Sequence, residues 1–202
     1  MATKHFIEEA DLINDSFRLA VKIYSSGFRP SFVVGLWRGG SSVGIYVQEC
    51  LQYLGVETDH IAVRTSYTGL PDYEEMAQNP AEKIRVHGTQ YLLETLNVDD
   101  RLLLVDDVYS SGQTLQVVRD RLQQRLKRNM PAEVRTATVW DKPARHKTGQ
   151  GPDFFVHRSN DWLVLPYELS GLSMDEIREM KPCVATLLKG ETQSGNERDD
   201  NQ

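Results

Sequence analysis

The chain has 202 residues, which is enough for one domain with a substantial hydrophobic core. Its 29 acidic and 23 basic side chains give a net charge of −6, which argues against a sequence-independent nucleic-acid binder. The sequence contains no apolar run of membrane-spanning length and no signal-peptide core, so we expect a cytoplasmic protein with no nucleic-acid or membrane partner.

The first predicted elements are a helix over residues 7–26, a buried strand over 32–36 and a second helix over about 42–54. Between the strand and the second helix lies the sequence Trp37-Arg38-Gly39-Gly40. Two glycines after a strand let the backbone approach a ligand closely, and an arginine can make paired contacts with phosphate oxygens. The alternative is a plain strand-to-helix turn with a surface arginine.

A second strand is predicted over residues 60–64, and the segment after it is polar. Residues 65–90 include Ser66 and Tyr67 near their start, and they contain two glycines and two prolines. Long loops without structure are uncommon, so the segment indicates a functional flap or a small subdomain with its own strands. A plain surface excursion is the alternative.

Residues 101–114 form the stretch that most clearly indicates chemistry. The apolar run 101–105 is typical of a strand buried on both faces, and Asp106 and Asp107 follow it at once. A loop of serine and glycine then runs into a predicted helix, whose N-terminal N–H groups can bind a phosphate. Adjacent carboxylates beside such a loop suit sugar hydroxyls or a divalent metal. The apolar face of the helix carries Leu115, Val118, Leu122 and Leu126.

Residues 105–114, Val-Asp-Asp-Val-Tyr-Ser-Ser-Gly-Gln-Thr, resemble the phosphoribosyl-pyrophosphate (PRPP) signature of the type I phosphoribosyltransferases. The resemblance implies an α/β fold with a mostly parallel sheet flanked by helices, in a single domain over 1–189. It also implies that Asp106 and Asp107 hold the ribose hydroxyls, or the waters on a bound metal, and offset the charge that develops on the sugar. The other residues implied to bind PRPP are Tyr109, Ser110, Ser111, Gly112, Gln113 and Thr114.

The stretch around Arg38 resembles the pyrophosphate loop of the purine phosphoribosyltransferases. That resemblance assigns pyrophosphate binding to Trp37, Arg38 and Gly39, counts Arg38 as catalytic, and implies a cis peptide in the loop. It likewise implies that Ser66 and Tyr67 belong to a mobile loop, at about 65–90, that closes over the reacting PRPP.

The second half of the chain predicts a strand over 134–140, followed by Lys142-Pro143, Pro152-Asp153-Phe154 and the segment 161–168. Taken singly, such a lysine is often a surface residue and such a tryptophan a core residue. Their order resembles the base-binding half of the hypoxanthine and xanthine-guanine phosphoribosyltransferases. The resemblance implies that Lys142 donates to a 6-oxopurine, that Trp162 stacks on it and that the Leu163 backbone contacts its edge.

The same resemblance implies a small hood over the carboxyl ends of the strands, at about 145–170. Ser173 is a typical N-cap for a C-terminal helix that ends near residue 182 and resumes to 188. The polar residues 190–202 are predicted to be a disordered tail. Cys50 and Cys183 lie in apolar stretches without metal-ligand spacing and are predicted to be buried free thiols.

The implied reaction replaces the pyrophosphate of PRPP by xanthine, guanine or hypoxanthine, in purine salvage. The implied cofactor is Mg, held by Asp106, Asp107 and Glu168, and the implied assembly is a homodimer or homotetramer. One residue departs from the 6-oxopurine enzymes: Ser110 stands where an aspartate usually exchanges a proton with the base. Serine is a poor general base, so the proton would have to be accepted by water or Glu168, or the substrate would have to be a purine that loses its proton readily, such as xanthine.

Three other functions stay open. One is a catalytically weak PRPP- or nucleotide-binding regulator on the same fold, and another is a transferase for a different base. The third is a phosphoacceptor signalling domain, in which paired aspartates also follow a strand but stand near the start of the chain.

Overall fold

The computed structural model of the chain describes residues 4–67 and 84–188. The strands are β1 (Lys4–Phe6), β2 (Phe32–Trp37), β3 (Asp59–Tyr67), β4 (Ile84–His87), β5 (Arg101–Tyr109), β6 (Glu133–Asp141), β7 (Phe154–Arg158) and β8 (Trp162–Val164). The helices are α1 (Glu9–Ser25), α2 (Gly39–Tyr53), α3 (Gln90–Thr95), α4 (Gln113–Leu126) and α5 (Met174–Met180), and residues 182–188 are also helical.

Six strands form one sheet in the order β4-β3-β2-β5-β6-β7. All neighbouring strands are parallel except β3 and β4, which pair antiparallel. From β2 the chain continues to β3 on one side, and from β5 it continues to β6 on the other. The boundary between β2 and β5 is therefore a topological switch point, where open α/β sheets bind their ligands beyond the carboxyl ends of the strands.

Both faces of the sheet are covered by helices. On one face, Val33 and Leu103 belong to the same buried cluster as residues of α1 and α2. On the other face, Val34 and Leu104 are buried together with the apolar face of α4. The predicted α/β fold, with a mostly parallel sheet buried between helices, is confirmed.

Several elements extend further than the sequence predicted. Helix α2 already begins at Gly39, so the glycine pair lies in its first turn rather than in a loop. Strand β5 continues through the acidic pair to Tyr109, because β6 pairs alongside it as far as Asp141. Strand β3 continues to Tyr67 and pairs with β4, so residues 65–67 and 84–87 are strands, while the middle of the expected flap, 68–83, lies outside the described residues.

The hood is a two-stranded parallel sheet of β1 and β8, in which Lys4 faces Trp162 and His5 faces Leu163. The hood contains less of the segment 145–170 than the sequence predicted, because β7 pairs with β6 and belongs to the main sheet. Ser173 caps α5 with a capping box, as its sequence predicted. The expected tail, 190–202, lies outside the described residues.

Two further sequence-based expectations concern the surface. The prediction of buried thiols was wrong for Cys183, which is exposed, whereas Cys50 is half-buried; both are free. Within residues 4–67 and 84–188, none of the helices combines the length and the apolar character that crossing a membrane requires.

Candidate active site

The junction of β2 and α2 lies directly against the end of β5. The Trp37–Arg38 peptide bond is cis, as the family resemblance implied. A Cβ atom added to Gly39 would overlap the Asp107 carboxylate and the Tyr167 hydroxyl. One added to Gly40 would lie 2.7 Å from the Cα atom of Asp106. The two glycines thus allow the backbone after Arg38 to touch the acidic pair, which no larger residue would permit.

The acidic pair is half-buried at the end of β5. The N–H of Asp107 donates to Asp106 Oδ1 at 3.0 Å, and the N–H of Val108 donates to Asp107 Oδ1 at 2.7 Å. Burial, and then the negative charge of Asp107, raise the pKa of Asp106 well above its usual value, although N–H groups of Asp107 and Gly40 partly offset this. A positive charge near Asp106 would therefore stabilise the ionised form of its carboxyl group.

Tyr167 links the acidic pair to Arg38, and no role was predicted for this residue from the sequence. Its hydroxyl donates to Asp107 Oδ2, and the Arg38 guanidinium lies over its ring at 5.5 Å from the centroid. Burial, followed by the charge of Asp107, raises the pKa of the Tyr167 hydroxyl. The available signal was the Pro166-Tyr167-Glu168 sequence, whose aromatic residue follows a strand end in the base-binding half.

The loop 110–112 leads into the N-terminus of α4 at Gln113. Gly112 has a φ of +76°, a left-handed conformation, and a Cβ there would lie 2.6 Å from Thr148 Oγ1. The Gln113 N–H is 3.3 Å from Ser111 Oγ. The loop predicted to bind a phosphate therefore leads directly into a helix N-terminus, where N–H groups can bind an anion.

The Tyr109 side chain makes a structural contact, which is compatible with a PRPP-binding role of the Tyr109 backbone. Its side chain is buried, and its hydroxyl donates to the carbonyl of Gln150 at 2.9 Å. The side chain is thus used to hold a neighbouring segment.

Lys142 follows β6 and is buried, with 6% of its surface exposed. Its Nζ donates to the carbonyl of Asp161 at 2.6 Å, and burial lowers the pKa of the amine. Trp162, half-buried, and Leu163, buried, follow Asp161 directly in β8. Strand β8 pairs with β1 along one of its backbone edges. Its other edge forms no part of that two-stranded sheet. The predicted base-binding residues are therefore adjacent in space.

Glu168 lies between the base-binding residues and the acidic pair. The N–H of Leu165 donates to its Oε2 at 3.0 Å. Burial raises the pKa of this carboxyl, and the charge of Asp107 raises it further, while Arg38 and Lys181 oppose the effect. The carboxyl is also close enough to Lys142 to act on the pKa of that amine.

The acidic pair has the chemistry of a magnesium site, because Mg²⁺ prefers carboxylate oxygens and keeps several waters or substrate oxygens in its shell. In the part of the chain that the structure describes, no group of three acidic, histidine or cysteine side chains is arranged to hold a metal. Glu168, the third metal ligand that the resemblance implied, therefore does not form such a group with Asp106 and Asp107. An ion held by the acidic pair would take its other ligands from substrate and water.

Ser66 and Tyr67 end strand β3, at the border of the segment outside the described residues. The Ser66 Oγ is 3.0 Å from the His87 Nε2 atom across the β3–β4 pair. Of the residues predicted from the sequence, the structure thus brings together Arg38 and Gly39, the acidic pair, the loop 110–112 and the residues predicted to bind the base. Tyr167 is the addition.

Comparisons with known proteins agree with this arrangement. A family model described as phosphoribosyl transferase domain matches residues 8–170. The chain is similar to a purine phosphoribosyltransferase from Pyrococcus horikoshii Ot3, with 24% identity, 84% of this chain and 97% of that chain covered, and a TM-score of 0.60. It is also similar to a hypothetical protein from Neisseria gonorrhoeae with bound ppGpp, with 19% identity, coverage of 91% and 98%, and a TM-score of 0.67.

A third similar structure is the xanthine-guanine-hypoxanthine phosphoribosyltransferase of Helicobacter pylori, with 14% identity, coverage of 82% and 92%, and a TM-score of 0.60. No curated protein matches the sequence. At these identities the structures show a shared fold, and they confirm the predicted likeness to the purine phosphoribosyltransferases. Since the family model spans most of the sequence, the chain belongs to the phosphoribosyl transferase domain family, as the resemblance of residues 105–114 predicted.

Proposed function

We propose that the protein transfers the 5-phosphoribosyl group from PRPP to a 6-oxopurine, which yields a nucleoside monophosphate and pyrophosphate for purine salvage. The observation that carries the proposal is the packing of Gly39 and Gly40 against Asp106 and Asp107 at the switch point of the sheet. This contact supports the proposal, because a backbone that could approach a pyrophosphate lies beside carboxylates that suit a ribose, with the N-terminus of α4 beyond them.

The roles follow from the chemistry of each group. Arg38 and the adjacent backbone hold the leaving pyrophosphate, and the loop 110–114 holds the 5-phosphate through its N–H groups. Asp106 and Asp107 accept hydrogen bonds from the ribose hydroxyls and offset the positive charge that develops on the sugar. Bound Mg²⁺ would neutralise pyrophosphate oxygens, with Asp106 and Asp107 as the protein groups facing it.

The base enters beside Lys142 and Trp162. The Lys142 amine donates one hydrogen bond to Asp161 and carries further N–H donors that suit the carbonyl oxygen of a 6-oxopurine. The Trp162 ring offers a flat apolar face for stacking. The free backbone edge of β8 at Leu163 supplies hydrogen bonds for the rest of the base.

Pyrophosphate release tests the proposal directly. The protein is incubated with PRPP, Mg²⁺ and one base at a time from a panel of xanthine, guanine, hypoxanthine, adenine and uracil. We expect release with at least one 6-oxopurine and loss of release in Asp107→Asn. Release with none of the bases would refute the enzyme proposal, and release with adenine or uracil alone would refute the roles of Lys142 and Trp162.

A nucleotide-binding regulator is the second candidate function. It is favoured by Ser110, which replaces the usual proton-transferring aspartate, and by the Neisseria gonorrhoeae structure, which has bound ppGpp. A guanine nucleotide with pyrophosphate groups would suit both the base-binding residues and the loop at Arg38. Calorimetry with ppGpp separates the candidates: tight binding without pyrophosphate release from PRPP supports the regulator.

The assembly we propose is a homodimer or homotetramer. Apolar side chains are exposed on neighbouring faces of α1 and α2, and Tyr53 is 91% exposed. The Phe17 and Tyr46 rings lie 5.5 Å apart across these helices. Contiguous exposed apolar side chains are typical of protein interfaces. Sedimentation velocity over a hundredfold concentration range would show a single monomeric species if this proposal is wrong.

The free cysteines support a reducing, cytoplasmic location.

A further inference from the structure

The segment that follows Lys142 folds back onto the phosphate loop. We name residues 146–150 the bracing segment. The N–H of Lys147 donates to the carbonyl of Ser111 at 3.0 Å. The Tyr109 hydroxyl donates to the carbonyl of Gln150 at 2.9 Å and lies 2.9 Å from Thr148 Oγ1. These contacts hold the loop from both its backbone and its buried aromatic residue.

The bracing segment is in turn held by a hydrogen bond to a buried carboxylate. Asp141 ends β6, its surface is fully buried, and its Oδ1 is 2.6 Å from the His146 Nε2 atom. Arg158 donates to the other carboxylate oxygen at 3.0 Å. The His146 ring also packs edge-on against Tyr109, with 5.0 Å between the centroids. A hydrogen bond to a buried carboxylate is among the stronger ones in proteins, so this pair fixes where the segment starts.

The space between the two loops leaves little freedom. A Cβ on Gly112, in the phosphate loop, would lie 2.6 Å from Thr148 Oγ1, in the bracing segment. The phosphate loop and the bracing segment therefore pack without a gap, and a shift of either one must move the other.

We infer that His146, held by Asp141, is a positioning residue for the 5-phosphate loop. It fixes the bracing segment against residues 109–112, and because Asp141 precedes Lys142 directly, it ties the phosphate loop to the strand end that carries the base-binding lysine. His146 acts through these contacts and not by touching substrate. The inference rests on the proposed function for the identity of the ligand, a ribose 5-phosphate group.

The test uses the variant His146→Leu, which removes the hydrogen bond to Asp141 and substitutes an apolar side chain of similar size. Asp141 keeps Arg158 as a partner in this variant, so the buried carboxylate is not left alone. His146→Gln keeps an N–H donor near the Nε2 position. The matched control is His157→Leu, because His157 forms a similar pair with the buried Asp15, at 2.7 Å, next to α1.

Binding is measured by calorimetry with ribose 5-phosphate and, separately, with pyrophosphate. We expect His146→Leu to weaken ribose 5-phosphate binding about tenfold and to leave pyrophosphate binding within about twofold. His146→Gln should recover affinity to within about threefold of wild type. His157→Leu should bind both ligands like wild type. Equal loss for both ligands, or equal loss in His157→Leu, would overturn the inference.

Hydrogen exchange provides a readout that needs no ligand. The Lys147 amide should exchange faster in His146→Leu than in wild type, because its acceptor on Ser111 is no longer held in place. The amides of residues 39–42 should not change. If wild type binds no ribose 5-phosphate, the proposed function fails, while the exchange of Lys147 still decides whether His146 braces the loop. Unchanged exchange there would overturn the inference independently.

Discussion

The acidic pair makes the protein less stable than it would be with a neutral side chain at the same place. Burial and Asp107 raise the pKa of Asp106, so its ionised form is disfavoured in the folded protein. Asparagine has the same shape, keeps an acceptor for the Asp107 N–H and carries an N–H donor for the Asp107 carboxylate. We therefore expect Asp106→Asn to stabilise the fold while it abolishes transfer.

The size of the effect follows from the linkage between pKa and stability. Each unit by which the pKa is raised corresponds to about 1.4 kcal/mol at a pH above the raised value. Single substitutions typically change stability by about 0.5–3 kcal/mol. A gain within that range corresponds to about 1–12 °C in Tm for a domain of this size. Transfer should fall about a hundredfold or more, since a group that stabilises the developing charge is lost.

The pH dependence has a definite sign. Below the ordinary value of 3.8 for an aspartate, the carboxyl is protonated in both the folded and the unfolded chain, and the variant gains nothing. As the pH rises, the unfolded chain ionises first and the penalty in the folded wild type develops. The difference in Tm between variant and wild type should therefore be larger at pH 8 than at pH 5.

Thermal unfolding at both pH values, with Asp120→Asn as the control, checks this prediction. Asp120 is exposed on α4 and accepts a hydrogen bond from Gln116. Its replacement should change Tm little and to the same extent at both pH values. A variant at position 106 that is no more stable than wild type at pH 8, or a gain that does not depend on pH, would refute the reasoning.

Three further substitutions probe the contacts of the site. Gly39→Ala should lower the free energy of unfolding by about 1–3 kcal/mol and abolish transfer, because its Cβ would overlap Asp107. Gly44→Ala is the control, because its Cβ would have its nearest neighbour at 3.6 Å, and it should change the free energy of unfolding by less than about 1 kcal/mol. Chemical unfolding measures both. Tyr167→Phe should lower kcat/KM for PRPP about tenfold with unchanged Tm, since Asp107 loses the hydroxyl that orients it; kinetics equal to wild type would dismiss that role. Lys142→Met should raise the KM for the base about tenfold and leave the KM for PRPP within about twofold in steady-state kinetics; equal changes in both would contradict a base-binding role.

The sheet and its helices could be predicted because their signals are local. The apolar run before Asp106 and the helical spacing of Leu115 and Val118 depend only on which side chains must be buried. Alternate residues of the run are buried on the two faces of the sheet, and one of these faces also buries the apolar face of α4. The acidic pair and the glycine pair were likewise visible, since each follows directly after such a strand.

The contacts that complete the site could not be predicted in this way. Tyr167 reaches Asp107 across 60 positions of sequence, and Tyr109 turns inward because Gln150 offers it an acceptor. The role of His146 depends on where the chain folds back after β6. Each of these side chains is polar and could equally have faced solvent, so only the packing of distant segments decides its position.

Glu168 is the residue in this site best suited to take over proton transfer from the aspartate that Ser110 replaces. A carboxylate is a better proton acceptor when its pKa is raised toward neutrality, and burial raises the pKa of Glu168. The same carboxyl interacts with both Lys142 and Asp107, so under the proposed function it would lie between the base and the sugar that are to be joined. Proton removal matters most for the less acidic base. Glu168→Gln should therefore lower turnover with hypoxanthine by about tenfold or more and with xanthine by less than about threefold, while Glu179→Gln, on the exposed surface of α5, should change neither.

Adding Ser110→Asp to the Glu168→Gln variant provides the decisive comparison. The new carboxylate stands at the position that serves the 6-oxopurine enzymes, so it should restore hypoxanthine turnover if the deficit is one of proton transfer. A metal-binding or pyrophosphate-binding role for Glu168 gives the opposite pattern, with equal losses for both bases, a raised requirement for Mg²⁺ and no rescue. If Ser110→Asp raises turnover with no purine in either background, the missing base does not limit this protein, and the weak-enzyme argument for a regulator loses its main support.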